Sequence, residues 1–324
     1  MSIHVSARAE RCEPTHIDPV FARDAILGLN QQPKKLSPKY FYDETGSDLF
    51  EEITRLPEYY PTRTELGILR ERGREIAATI PENAALVEFG AGATTKARLL
   101  LAHDRIGAYV PVDISGAFLA RQADALRRDF PHLAVHPVAA DFTRPFSLSN
   151  EIAPLPKAGF FPGSTIGNFE PEEACAFLRT ARSILGPDAI LIVGVDLEKD
   201  DRVLQAAYDD DAGVTSRFNK NILSRINGEL AGDFNISRFA HRAVYNRTSH
   251  RIEMHLVSQD AQTVHLLGHD IAFRAGESIH TESSYKYSVA RFQDLARRAG
   301  WMPDKVWTDA RDMFSVHALR ADLA

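Results

Sequence analysis

Ala85-Leu-Val-Glu-Phe-Gly90-Ala-Gly92-Ala-Thr-Thr-Lys96-Ala-Arg-Leu-Leu-Leu101 decides how the chain folds. A short apolar run ends on an acid, breaks at two glycines and resumes with helical spacing. That order is a strand, a tight turn and a helix, the opening unit of a doubly wound α/β sheet. Gly90 and Gly92 can adopt backbone angles closed to other residues and let a ligand lie against bare main chain. The helix that follows presents N–H groups and a positive dipole end to the same place.

Outward from this turn the alternation of strands and helices continues. Ala108–Asp113 reads as a second strand ending on an acid, Ala117–Phe130 as the crossover helix, and Ala134–Ala139 as a third strand running into Asp141-Phe142. Gly159–Asn168 gives a fourth strand and its loop. Pro171–Leu185 is a helix with proline in its first turn and Gly186-Pro187 after it, and Ala189–Val195 is a fifth strand. Beyond Asp196 the pattern changes. Helices are expected over Asp200–Tyr208 and Val214–Leu230, and an alternating strand over His250–Ser258, with Thr263–Leu267 pairing beside it. Glu277–Lys286 is extended, Val289–Ala299 is an amphipathic helix, and two strands near Lys305–Thr308 and Met313–Leu319 close the chain.

Upstream, residues 1–14 read as a loose arm and Asp18–Leu29 as a helix. Pro33–Pro38 reads as a solvated loop and Asp48–Leu56 as a helix, with Thr62 or Thr64 capping a long helix through Ile80. Two domains follow: a core of residues 62–196 plus 287–324, and a second, α+β substrate-binding domain of residues 15–61 plus 197–286.

Composition narrows the function. The 324 residues carry 44% hydrophobic and 25% charged side chains, ordinary for a soluble globular enzyme. A net charge of −6 with no basic face argues against nucleic acid as partner. Cys12 and Cys175 stand far apart in unrelated contexts, which fits a reducing compartment. No stretch approaches the roughly 20 apolar residues of a membrane span, and no secretory signal is evident, so a cytoplasmic protein is expected.

The glycine turn lacks the third glycine of G-x-G-x-x-G, since Thr95 occupies that position. A dinucleotide is therefore less favoured than a ligand needing one close backbone approach. Asp113 is placed to accept both hydroxyls of a ribose. Asp141 and Phe142 suit an adenine, one accepting from its amine and the other offering an aromatic face, while Lys96 could meet a carboxylate. Ribose, adenine and amino-acid carboxylate together describe S-adenosylmethionine better than NAD. Any one of these acids could equally be a helix cap; the combination carries the reading. His265-Leu-Leu-Gly-His269 lacks the helical context and acid of a zinc site, and no metal is expected.

Several further stretches are specific together: Phe41-Tyr-Asp-Glu-Thr-Gly-Ser47, Leu56-Pro-Glu-Tyr-Tyr-Pro-Thr-Arg63, Gly163-Ser-Thr-Ile-Gly-Asn168, Ala207-Tyr-Asp-Asp210 with Phe218-Asn219, Arg251-Ile-Glu-Met254 and Thr281-Glu-Ser-Ser-Tyr-Lys286. With them the chain resembles the bacterial histidine Nα-methyltransferases of ergothioneine biosynthesis over nearly its whole length. The resemblance implies a Rossmann-like class I methyltransferase fold and trimethylation of the α-amine of L-histidine to hercynine by S-adenosylmethionine. It implies cofactor contacts from Gly90, Lys96, Asp113, Asp141 and Phe142. It implies that Asn168 and Tyr208 hold the substrate carboxylate, with the amine near Asn168, Tyr59 and the backbone of Gly163. Asn168 and Tyr59 are the residues it places at the reacting nitrogen. Glu282 and Ser284 would grip the imidazole, with Tyr42 near it and Met254 against the ring. A monomer is expected.

Alternatives stay open at this level. Asn168 could cap the helix near Pro171, the tyrosines could be packing, and Met254 could be core filler. The same chemistry on tryptophan or tyrosine, an NAD-dependent oxidoreductase and a catalytically silent binding module are the rival functions. Glu282 and Ser284, two apart on an extended segment, share one face, where an acid suits an imidazole donor better than a large apolar ring.

Overall fold

A computed structural model describes residues 17–114 and 116–322. The N-terminal arm and Cys12 lie outside the described residues. In chain order the elements are α1 (Pro19–Leu29), β1 (Lys34–Lys35), α2 (Glu44–Arg55), α3 (Tyr60–Ala77), β2 (Ala84–Phe89), α4 (Thr95–Leu101), β3 (Ile106–Asp113) and α5 (Gly116–Asp129). They continue as β4 (Ala134–Val135), β5 (Val138–Ala139), β6 (Lys157–Phe161), α6 (Pro171–Leu185), β7 (Ile190–Asp196), α7 (Asp201–Ala206) and α8 (Val214–Glu229). The last are β8 (Phe239–Asn246), β9 (Arg251–Ser258), β10 (Gln262–Leu266), β11 (His269–Phe273), β12 (Ser278–Tyr285), α9 (Val289–Arg298), β13 (Trp301–Thr308) and β14 (Phe314–Ala321).

The larger sheet runs β13-β14-β7-β6-β2-β3-β4, with β5 also pairing β3. β2 lies parallel to both β3 and β6, β6 parallel to β7, and β14 antiparallel to β7 and β13. Strand order therefore reverses at β2, and ligands of such sheets bind beyond the carboxyl ends of strands at that reversal. Every residue of β2 is buried because both faces are covered. Val87 and Phe89 join Val110, Phe161, Phe177, Leu191 and Trp301 on one side. Leu86 joins Tyr109, Phe160, Ile192, Ile68 and Phe314 on the other. A second sheet runs β1-β12-β9-β8, and β10-β11 is a separate hairpin.

The chain divides into two compact units. One comprises the described residues up to Leu56 with Gln205–Val244 and Glu253–Glu282; the other comprises Pro57–Leu204, Tyr245–Ile252 and the described residues from Ser283 onward. The large sheet belongs wholly to the second unit. In the first, Phe21 stacks on Tyr40 and Phe41 packs against Phe218 of α8.

The chain departs from the expected elements at several points. Pro33–Pro38 is not a solvated loop: Lys34 pairs in register with Ile279 of β12, is buried, and forms an ion pair with Glu277 at 2.8 Å. α3 begins at Tyr60 with Pro61 in its first turn, and the Thr64 hydroxyl donates back to the Tyr60 carbonyl instead of capping. The third strand is split into β4 and β5, because Pro137 lacks the N–H a continuous ladder needs. Thr263–Leu267 does not pair with β9. It folds onto β11 through Leu267 and Gly268, both at positive φ, as a two-residue hairpin. β8 lies outside the elements that the sequence pattern marks.

Candidate active site

At the end of β2 the backbone N–H groups of Gly90 and Ala91 both donate to the Val112 carbonyl, at 2.9 and 3.0 Å, tying the turn to the tip of β3. Gly90 sits at φ +74°, and a Cβ there would lie 3.3 Å from Cε1 of Phe142. The Phe142 ring, edge-on to Phe161 and Phe177, thus lies against the turn. A Cβ on Gly92 would meet no described heavy atom within 4 Å, so the main chain here is bare on its outer side. α4 has only seven residues, so backbone and side chains rather than a long helix dipole shape this cradle.

Asp113 pairs with Ala139, and its carbonyl accepts from Ala140 N–H at 3.0 Å. That ladder brings Asp113 beside the Asp141-Phe142 segment. Asp141 Oδ1 accepts from the Thr143 N–H and hydroxyl at 3.0 and 2.6 Å, holding the carboxylate in a local turn. The five residues expected at a nucleotide-like ligand are therefore gathered around one turn. Their chemistry (bare backbone, two carboxylates, an aromatic face and a cation) fits S-adenosylmethionine.

Lys96 forms an ion pair with Glu65 at 2.6 Å. Glu65 is fully buried and also accepts from the Gly163 N–H. A Cβ on Gly163 would lie 3.2 Å from Lys96 Nζ. Sequence reasoning gave Lys96 and Gly163 separate roles; the structure joins them through an acid that nothing in the local motif marked. Nearby, burial pushes the Glu88 carboxyl up to about 7, opposed by a hydrogen bond donated by Tyr109 and by the charge of Lys96.

Asn168 ends a short 3-10 turn, Thr165–Asn168, that packs on β12: a Cβ on Gly167 would lie 2.7 Å from the Tyr285 carbonyl oxygen. Asn168 does not cap α6. Glu170 does, in a capping box with Glu173. Tyr59, nearly buried, precedes the first residue of α3. Its neighbour Tyr60 donates to Asp196 at 2.7 Å, and Asp196 also receives Lys199 at 2.6 Å and Lys286 at 2.8 Å. Burial drives the Asp196 carboxyl upward, but the two ammonium groups outweigh it and hold the carboxyl below its usual range. Burial lowers Lys199 to about 8. Lys286 in turn donates to Ser284 Oγ at 2.9 Å.

In the first unit, Tyr208 is nearly buried and its carbonyl lies 2.8 Å from His241 Nε2. A carbonyl only accepts, so Nε2 carries the proton and Nδ1 accepts from Asn219 Nδ2 at 2.8 Å. Asn219 also accepts from the Thr281 hydroxyl, which bifurcates to the Met254 carbonyl at 3.0 Å. Met254 is thereby fixed beside the residue that precedes Glu282, and its side chain belongs to the buried alternate row of β9 with Ile252 and Leu256. Glu282 and Ser284 are both buried on β12. Tyr42 is 40% exposed and packs edge-on against Phe50 and Phe218. His265 pairs with Asp270 across the hairpin, and among the described residues no group of metal ligands exists.

Parallel strands reversing at β2, with an antiparallel β14 beside β7, form the Rossmann-like α/β sheet of a class I methyltransferase. The family model described as "Histidine-specific methyltransferase, SAM-dependent" matches residues 21–321, and the chain belongs to that family. It is 40% identical to a histidine N-alpha-methyltransferase of Mycolicibacterium smegmatis over 91% of this chain and 92% of that protein. It is 38% identical, over the same shares, to the histidine N-alpha-methyltransferase of Mycobacterium tuberculosis. It is also 31% identical to ergothioneine biosynthesis protein 1 of Neurospora crassa, over 89% of this chain and 33% of that longer protein.

Proposed function

We propose that the protein methylates the α-amine of L-histidine three times to give hercynine, as a step of ergothioneine biosynthesis. The observation that carries this reading is the family match over residues 21–321, which spans the cofactor cradle and the Glu282/Ser284 strand alike. The small-molecule partner is L-histidine. The protein is read as a cytoplasmic monomer. Among the described residues no helix is long and apolar enough to cross a membrane.

S-adenosylmethionine, when bound, supplies an electrophilic sulfonium methyl. Gly90, Lys96, Asp113, Asp141 and Phe142 are assigned to hold it. Asn168 and Tyr208 are assigned to the substrate carboxylate, and Asn168, Tyr59 and Gly163 to its amine. Only a neutral amine has the lone pair for in-line attack, so these residues act by orienting nitrogen at near-attack distance. Apolar burial around them keeps charge dispersal in the transition state favourable. Glu282 accepts the imidazole N–H and Ser284 meets the other ring nitrogen, with Tyr42 and Met254 completing the ring's surroundings.

The test is incubation of the purified protein with S-adenosylmethionine and an equimolar mixture of the twenty amino acids, read by mass spectrometry. Trimethylated histidine as the sole product is expected. A different methylated amino acid would retain the cofactor site and overturn the imidazole assignment. Removing the acid in Glu282→Ala leaves a ring donor unpaired and should weaken histidine binding by roughly 1–3 kcal/mol.

A further inference from the structure

We propose that Arg251 and Tyr285 are positioning residues: together they latch Glu170 and so hold Asn168 in place to orient the substrate nitrogen. The inference rests on the assignment of Asn168 to that nitrogen. Arg251 opens β9, and Tyr285 ends β12, its neighbour in the smaller sheet. The Lys286 N–H donates to the His250 carbonyl at 2.8 Å and ties the two strand ends together. There Nη1 of Arg251 donates to both carboxylate oxygens of Glu170, at 2.8 and 3.1 Å, and to the Tyr285 hydroxyl at 2.6 Å. That hydroxyl donates in turn to Oε2 of Glu170, which closes the triangle. Burial and the Glu170 carboxylate push the hydroxyl up to about 12, so it keeps its proton.

Asn168 lies between two points that Tyr285 holds. On one side, a Cβ on Gly167 would lie 2.7 Å from the Tyr285 carbonyl oxygen and 3.3 Å from its nitrogen, so backbone meets backbone there. On the other, the Tyr285 hydroxyl holds Glu170, two residues beyond Asn168. The start of the loop is tied independently. Glu65 accepts the Gly163 N–H, and Ser164, at φ 57°, accepts the Asp196 N–H at 2.9 Å. With both ends fixed, the short turn Thr165–Asn168 has little room to tilt. The latch is partly exposed, with 20% of the Arg251 and 45% of the Glu170 side chain accessible, so it contributes little to global stability. Its effect is geometric: an anchored guanidinium and a fixed phenol converging on one carboxylate define its place more sharply than a lone charge would. A misplacement of about 1 Å in a group that orients substrate can slow a reaction by about a hundredfold. Arg251 and Tyr285 both belong to the stretches that carry the family resemblance, yet neither has a substrate assignment of its own.

The experiment compares the full-length protein with Arg251→Met, Tyr285→Phe, Asn168→Ala and the pair Arg251→Met/Asn168→Ala. It reads the single-turnover rate of the first methyl transfer to histidine by mass spectrometry, with S-adenosylhomocysteine affinity and Tm. Arg251→Met should slow the transfer about tenfold with cofactor affinity unchanged, and Tyr285→Phe should act in the same direction. Added to Asn168→Ala, Arg251→Met should slow the transfer no further, because the latch acts only through that side chain. A further loss of about tenfold in the pair would overturn the coupling. Cofactor affinity falling along with the rate in Arg251→Met would mark a general loosening and overturn the positioning role. Wild-type rates in Arg251→Met and Tyr285→Phe, with Asn168→Ala slow, would overturn the latch. A wild-type rate in Asn168→Ala would instead overturn the assignment of Asn168 itself. Should Arg251→Met fail to fold, Tyr285→Phe removes a single hydroxyl and carries the same comparison, alone and paired with Asn168→Ala.

Discussion

Both carboxylate oxygens of Glu65 accept from the backbone N–H of Gly163, at 3.0 and 2.9 Å, while one of them also holds Lys96. One buried acid on α3 thus sets the loop assigned to the substrate amine and the lysine assigned to the cofactor. Its Oε1 would lie 2.0 Å from a Cβ on Gly194, so β7 must carry glycine there.

Glu65→Ala leaves a partly exposed ammonium and a backbone donor without this partner, a change that should cost roughly 2–3 kcal/mol. Glu65→Gln keeps an acceptor for Gly163 and should lose less. Thermal unfolding with and without S-adenosylhomocysteine checks the order; equal stability of Glu65→Ala and wild type would contradict the linkage.

The two glycines of the turn should separate when replaced by alanine. Gly90→Ala forces an L side chain to φ +74° and toward Phe142, at roughly 1–2 kcal/mol, so both Tm and cofactor affinity fall. Gly92→Ala meets no described neighbour and should leave Tm unchanged while weakening S-adenosylhomocysteine binding about tenfold. Normal binding by Gly92→Ala in isothermal titration would place the cofactor elsewhere.

Glu88 makes stability fall as pH rises. Its carboxyl is raised from 4.5 to about 7 by burial, so between those values the native chain holds a proton that the unfolded chain has lost. Stability from the protonated form is complete below 4.5 and is lost as pH passes 7, at most about 3 kcal/mol. Urea unfolding of Glu88→Gln from pH 5 to 8 should show that part of the slope removed. An unaltered slope would mean that Glu88 is ionised in the native protein throughout.

Lys34 offers a control remote from the chemistry. Its ion pair with Glu277 is buried on the lysine side, and its ammonium lies 5.1 Å from the Phe273 ring centroid. Lys34→Ala should cost roughly 2 kcal/mol through lost stem packing and the broken pair. Urea midpoints check the cost, and S-adenosylhomocysteine affinity should not move.

The turn at Gly90, the strand-end acids Asp113 and Asp141, and the helix Pro171–Leu185 were legible because each has local grammar: glycine where backbone must bend, acids after apolar runs, proline at a helix start. A lysine pair between prolines looks solvated, and the burial of Lys34 shows only once its distant partner Glu277 is known. Glu65, Asp196 and Lys286 escaped for the same reason. Their neighbours lie far along the chain, as with Tyr60 and Asp196, 136 residues apart. The hairpin at Leu267-Gly268 hid because leucine rarely takes positive φ.

The antiparallel insertion of β14 against β7 has a consequence for how the molecule is made. Ser315 bonds back to the Val195 carbonyl across 120 residues, and β7 has no other neighbour on that side. During vectorial synthesis β7 therefore emerges with one ladder of N–H and C=O groups unmatched, and it waits until the final strands leave the ribosome. Such late, non-local closure slows folding and exposes an adhesive edge. A chain in which β14 has not yet docked thus presents an unpaired β7 edge, the kind of surface onto which a foreign strand can add.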